Sequence, residues 1–198
     1  MPVDSKSFFG PVELSDEASV AKICLLRAQV WRDTGNLAES AFASEGWRDA
    51  IDSHCRHWAI LNQHQMPVAA GRLSLHASLD DVHESHEYRR YGIDFAGGYA
   101  NPDRVVVDRA CKGCGLGRQI LDAQDNAIDS ETVSFSVRQA SPAMVRLLIH
   151  RGWYVAGPAS SDSRFRDVQF SVVIKPLRDE IEQSPMFQDW LSQRKVAA

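Results

Sequence analysis

The run Arg104-Val105-Val106-Val107-Asp108-Arg109-Ala110-Cys111-Lys112-Gly113-Cys114-Gly115-Leu116-Gly117-Arg118 passes from strand to turn to helix in a short length of chain. Three consecutive β-branched valines predict a short strand with no solvent face, because neighbouring side chains project to opposite sides of a sheet and both sides here are apolar. Glycines at 113, 115 and 117 predict a turn directly after it. Leu116, Ile120, Ala123 and Ala127 then fall on one face of a helix. A helix that starts from a glycine-rich turn gathers free backbone N–H groups at its positive end, and glycines let a phosphate come close to them. The Rossmann pattern fails because Arg118 and Ile120 stand where glycines are required, and the Walker pattern fails for want of a Gly-Lys-Ser/Thr end. An anion site that is neither dinucleotide-binding nor triphosphate-binding is the reading left.

Outward from this run, Ser15-Asp16-Glu17 supplies an N-cap and an acidic first turn, and Val20, Ile23, Cys24, Ala28 and Trp31 recur at helical spacing, so a helix is predicted over 16–33. A shorter helix is predicted over 47–55, then an antiparallel hairpin from 57–61 and 68–75. Residues 77–100 are polar, end in Gly97-Gly98 and read as a long connection without a core strand. Beyond the glycine-rich run, a strand is expected over 132–137. Ser141-Pro142 opens another helix, which Gly152 stops. Strands over 153–155 and 168–174 follow, and Ile181, Phe187, Trp190 and Leu191 suggest a C-terminal helix.

The chain has 198 residues, 44% hydrophobic and 24% charged, enough for one good core. A net charge of -4 gives no broad attraction to nucleic acid or to an anionic membrane, and no run of about 18 apolar residues occurs. With no signal-like N-terminus, a cytoplasmic protein with reduced cysteines is expected.

Lys112-x-x-Gly115-x-Gly117 resembles the acyl-CoA loop of the GNAT superfamily of N-acyltransferases, which reads Q/R-x-x-G-x-G/A after a strand; Lys replaces the usual Arg or Gln. The second part of that family's pattern, a helix ending in a Gly-Phe pair, is similar to 141–148 leading into Gly152-Trp153. The resemblance covers about residues 15 to 175. It implies an α+β fold with a central mixed, mostly antiparallel sheet flanked by helices and splayed at the acyl-CoA site. A domain over 1–175 would be followed by a helical extension over 176–198 that docks or makes a homodimer contact. Acetyl-CoA or another acyl-CoA is the implied co-substrate, with no metal. The backbone of Val105, Val106 and Val107 would pair with the pantetheine arm, and Lys112, Gly113, Cys114, Gly115, Leu116, Gly117 and Arg118 would hold the pyrophosphate, with Ser141 contributing from the later helix. A small-molecule or peptide amine is the implied acceptor.

A weaker similarity reaches the N-terminus. The acyl-homoserine lactone synthases and N-acyl amino acid synthases carry Arg and an aromatic on the first helix, matched here by Arg27 and Trp31; Asp49, Asp52, Arg72 and Arg104 follow in the same order. Arg27 lies on the apolar face of its helix, where a charge needs a partner, and Asp49 or Asp52 can supply it.

N-acyl transfer needs a neutral amine, stabilisation of an oxyanion and, optionally, an acid for the thiolate. The family's usual Tyr acid is matched by Leu148, and its Glu near the start of the central strand by Asn101. Asp103, two residues on, is therefore the expected base. The same two departures favour a rival of another class, a non-catalytic acyl-CoA sensor. Cys111-x-x-Cys114 lacks a second ligand pair for zinc, and His83-Glu84-Ser85-His86 is one residue short of H-E-x-x-H, so both are read as ordinary loop.

Overall fold

A computed structural model describes residues 7–36, 46–129 and 133–195. Seven strands, β1 (Phe9–Leu14), β2 (Arg56–Leu61), β3 (Pro67–His76), β4 (Gly98–Val107), β5 (Val133–Ala140), β6 (Tyr154–Pro158) and β7 (Ser171–Pro176), follow the order β1-β2-β3-β4-β5-β7-β6. Antiparallel pairing joins β1 to β2, β2 to β3, β5 to β7 and β6 to β7, whereas β4 and β5 run parallel. The helices are α1 (Glu17–Asp33), α2 (Ser85–Arg89), α3 (Leu116–Asp129), α4 (Pro142–Ile149), α5 (Asp179–Glu182) and α6 (Pro185–Lys195). The expected α+β class with a mixed, mostly antiparallel sheet is what the chain forms.

The chain divides into two compact units, one drawn from Met1–Ser74, Pro102–Ser130 and Asp162–Asp167, the other from Leu75–Asn101, Glu131–Ser161 and Val168–Ala198.

In the first unit, α1 starts where its cap chemistry says it should: the Asp16 carboxylate accepts from the Ser19 N–H at 2.9 Å. Ile23 and Leu26 of this helix pack on Ala59, Ala70 and Val106. Gly71 of β3 lies under α3, and a Cβ there would meet Ile120 Cγ2 at 2.5 Å, so the missing side chain lets helix and strand approach. The helix expected over 47–55 is a shorter 3-10 turn, Ala50–His54, entered through a capping box of Asp49 and Asp52.

The second unit corrects the reading of 77–100. Leu79, Val82, Tyr88, Ile93, Phe95 and Tyr99 are all buried and join Phe135, Val137, Val172, Ile174, Phe187 and Trp190 in one core. β4 begins inside that segment at Gly98, pairing Tyr99 with Phe135 and Ala100 with Ser136. Its apolar residues are irregularly spaced, since a 3-10 turn, the five-residue α2 and a strand entry each bury one or two, and no single period shows. Phe187 and Trp190 of α6 stack at 5.4 Å within this core. Thr132, expected to open β5, lies outside the described residues; β5 runs from Val133.

Candidate functional site

In the first unit, β4 carries Val106 buried and Val105 and Val107 half-buried toward its end, and the Asp108 N–H donates to the Val68 carbonyl at 2.8 Å. The loop then turns at Gly113 (φ 83°) and Gly115 (φ 75°), left-handed conformations that a side chain would strain. An added Cβ at either glycine meets no atom within 4 Å, so the space over this backbone is open among the described residues. The first bond of the α3 ladder runs from the Gln119 N–H to the Gly115 carbonyl at 3.2 Å, which leaves the N–H groups of Leu116, Gly117 and Arg118 without an i−4 carbonyl. Those amides, the helix dipole and the exposed Lys112 and Arg118 side chains fit a pyrophosphate. At Gly117 an added Cβ would stand 3.4 Å from Val107 Cγ2, so a larger side chain there has to extend over the loop. Cys114 is exposed beside these glycines.

Beneath β2, β3 and β4 the same unit buries a network of charges. Arg27 Nη1 donates to Asp52 Oδ1 at 2.8 Å, the partnership its apolar position demands. Arg72, fully buried, donates to both oxygens of Asp103 at 2.8 and 2.5 Å, to Asp49 Oδ2 at 2.9 Å and to Asp52 Oδ1 at 3.0 Å. Arg104 Nε donates to Asp49 Oδ2 at 2.8 Å, and its guanidinium lies over the Trp47 ring, 4.4 Å from the centroid. Trp47 Nε1 donates to the other Asp49 oxygen at 3.0 Å. Arg27, Arg72 and Arg104 thus face Asp49, Asp52 and Asp103, charge for charge. Gln124 of α3 ties the network to the helix, its Nε2 donating to the Arg72 carbonyl at 2.6 Å.

Burial alone would push the three carboxyl groups up, but the facing guanidiniums outweigh it: Arg104 and Arg72 hold Asp49 below the ordinary carboxylate range, Arg27 and Arg72 do so for Asp52, and Arg72 and Arg104 for Asp103. His57 Nε2 donates to the Asp52 carbonyl at 2.8 Å, leaving Nδ1 to accept from Arg27 Nη2 at 3.2 Å. Burial, with Arg27 adding to it, lowers this imidazole's pKa and keeps it neutral. Both oxygens of the expected base, Asp103, are therefore engaged by Arg72, and a carboxylate held so low is a weak proton acceptor.

Arg104 takes φ 54° in the middle of β4, a conformation uncommon outside glycine. Its Nη2 has no hydrogen-bond partner among the described residues. The Trp47 ring under its guanidinium belongs to an aromatic group, 5.5 Å from Phe165 and 6.4 Å from Trp31. Trp47 and Phe165 were not singled out from the sequence, since their meeting depends on a segment more than a hundred residues away from Trp47.

In the second unit, Asn101 is buried and its Nδ2 donates to the Val137 carbonyl at 2.6 Å. The side-chain amide thereby satisfies a strand carbonyl of β5 just past the Ala100–Ser136 pair. Tyr88, whose hydroxyl lies 3.5 Å from the same nitrogen, brings a buried phenol to this point that the sequence reading passed over. Ser141 is the N-cap of α4, half-buried, and its hydroxyl makes no capping bond. Leu148, which the sequence resemblance sets at the position of a Tyr, is buried. Glu84 of the His83-Glu84-Ser85-His86 run accepts from Gln139 Nε2 at 2.7 Å. Among the described residues no three His, Cys, Asp or Glu gather as a metal ion would require.

No family model matches the chain, and no curated protein sequence does either. Solved structures do. FeeM, an N-acyl amino acid synthase from uncultured soil microbes, matches with a TM-score of 0.64 at 9% identity over 90% of this chain and 96% of its own. The CoA-dependent acyl-homoserine lactone synthase BjaI, solved with SAM and isopentyl-CoA, matches with a TM-score of 0.63 at 11% identity over 91% and 87%. A GNAT-family acetyltransferase from Staphylococcus aureus Mu50 matches with a TM-score of 0.56 at 12% identity over 84% and 99%. The fold is therefore GNAT-like.

Proposed function

We propose that this chain is an N-acyltransferase that binds acyl-CoA on the loop 112–118 and passes its acyl group to a primary amine. The observation that carries the reading is the open, glycine-turned backbone between β4 and α3, with amides that have no i−4 carbonyl at the start of a long helix. The amine attacks the thioester carbonyl directly, and the thiolate leaves without an obligatory acid because its pKa is only about 8.5. Asp103, held by Arg72, positions the strand and the network, and the amine gives up its proton to water or arrives neutral. Calorimetry tests the reading: acetyl-CoA binds the folded wild-type chain, and Gly117→Glu abolishes binding by placing a side chain and a negative charge among the amides. Equal affinity in a folded Gly117→Glu chain would remove the basis of the proposal.

A second reading, a synthase that uses longer acyl chains, is favoured by one observation. Arg27, Asp49, Asp52, Arg72 and Arg104, the residues that carry the similarity to the lactone synthases, meet in a single buried network. Release of CoA with acetyl-, octanoyl- and palmitoyl-CoA, against a panel of amines, amino acids and SAM, separates the two. Preference for acetyl supports the first, preference for octanoyl or longer the second, and no release with any pair supports the sensor. Asp103→Asn distinguishes positioning from base catalysis. A true base gives a loss in kcat/KM of roughly 10² or more that shrinks at high pH; a positioning residue gives a loss that does not change with pH.

A further inference from the structure

We propose that Cys111 and Cys114 form a reversible disulfide across the acyl-CoA loop, and that this modification and acyl-CoA binding exclude one another. Lys112 has φ -62° and ψ 144°, Gly113 has φ 83°, and the Cys114 N–H donates to the Cys111 carbonyl at 3.4 Å. The Lys112 conformation, the positive φ at Gly113 and the closing bond match a type II turn. Such a turn holds its first and fourth Cα atoms within about 7 Å, and a disulfide spans Cα separations of about 4.4–6.8 Å. The two thiols also differ in access: Cys114 is exposed, while Cys111 is 4% exposed and shielded from solvent oxidants. Burial, then Asp108 and the neighbouring Cys114 sulfur, push the Cys111 thiol up, so it is the second thiol to react.

The chemistry balances with a small-molecule disulfide, such as glutathione disulfide, as oxidant. The Cys114 thiolate attacks one sulfur of the oxidant, breaks its S–S bond and expels one glutathione thiolate. Cys111, having lost its proton to solvent, attacks the Cys114 sulfur and expels the second glutathione. The two protein thiols are oxidised, one glutathione disulfide is reduced to two glutathiones, and a dithiol reverses both steps. Closure has to draw the exposed Cys114 side chain inward toward Cys111, which turns the peptides of Gly113 and Gly115 on either side. Those peptides border the amides assigned above to the pyrophosphate, so the exclusion of acyl-CoA rests on the proposed function. Because coupling is reciprocal, bound acyl-CoA protects the thiols to the extent that oxidation weakens binding.

The test treats the full chain with glutathione disulfide, with and without acetyl-CoA, followed by alkylation, intact mass and peptide mapping of 104–118. Expected are loss of two hydrogens, a Cys111–Cys114 crosslink, slower closure with acetyl-CoA present, and an acetyl-CoA dissociation constant at least about tenfold higher in the oxidised chain, restored by dithiothreitol. Cys111→Ser should stop at a lasting glutathione adduct on Cys114, and Cys114→Ser should leave Cys111 unmodified. Absence of the crosslink in a folded chain under excess oxidant overturns the proposal whatever acetyl-CoA does. A crosslink with unchanged affinity overturns the exclusion. Reduced chain that closes readily but binds no acetyl-CoA overturns the proposed function and the exclusion with it, while mass still reports the disulfide by itself.

Discussion

The two units differ in what their interiors hold beside aliphatic side chains. The first buries Arg27, Arg72, Asp52, Asp103 and a neutral His57, with Asp49 and Arg104 half-buried at their edge; the second buries a stack of rings, with Phe95 on Phe135 at 4.8 Å and Phe187 on Trp190 at 5.4 Å. Rings need only shape and dryness. Charges need every partner present, and well-packed apolar groups of the same volume are often as stable or more so. A charged network of this kind is therefore weak evidence for stability.

The largest effects should come from removing one member of each interior. Arg72→Met takes both hydrogen bonds from Asp103 and one each from Asp49 and Asp52, and should cost about 3–5 kcal/mol in urea unfolding at neutral pH. Phe187→Ala should cost a similar amount, about 3–5 kcal/mol, through the cavity it opens. Acid distinguishes them. As pH falls toward and through the ordinary carboxylate value of about 3.8 the orphaned Asp103 takes up a proton, so the Arg72→Met penalty should shrink while that of Phe187→Ala stays constant. Parallel pH dependence in the two variants would erase the contrast between the interiors.

A smaller effect belongs to His57. Its pKa is lower folded than unfolded, so its contribution is complete above the unfolded value of about 6.5 and is lost as pH falls below it toward the folded value, with a slope of up to about 1.4 kcal/mol per pH unit. The aspartates, also depressed on folding, lose theirs only below about 3.8. Stability of the wild-type chain should therefore decline in two stages on acidification, and His57→Gln should remove the upper one.

The smallest effect sits at Arg104. Replacing it by Gly and by Ala deletes the same guanidinium, but only glycine accepts φ 54° freely, so Arg104→Gly should be more stable than Arg104→Ala by about 1 kcal/mol. Equal stability would mean that the strand relaxes once the side chain is gone.

Much of this was legible in local chemistry. The loop was readable because glycine spacing reports on backbone conformation, and α1 because Asp16 and the spacing of Ile23, Cys24 and Trp31 report a cap and a face. Arg27 could be given a partner at Asp49 or Asp52 because a charge among apolar residues must be answered, and the structure selects Asp52. Asp103 was harder: its partner Arg72 stands 31 residues away on another strand, and nothing near Asp103 in sequence announces it. β1 was missed because its face is largely exposed, with Phe9 and Val12 outward, so no alternation of buried and polar residues marks it. Segment 77–100 was misread for the reverse reason, burying many residues without a period.

The conformation of Arg104 also alters the arithmetic of its strand. Neighbours in a regular strand look in opposite directions, so Asp103 and Arg104 should serve different faces. Instead both reach the same acids and bases, Asp103 to Arg72 and Arg104 to Asp49, and Arg104 Nε comes within 4.0 Å of Asp103 itself. One left-handed residue gives a single strand two consecutive inward-looking side chains, doubling the density of functional groups that a sheet can aim at one point.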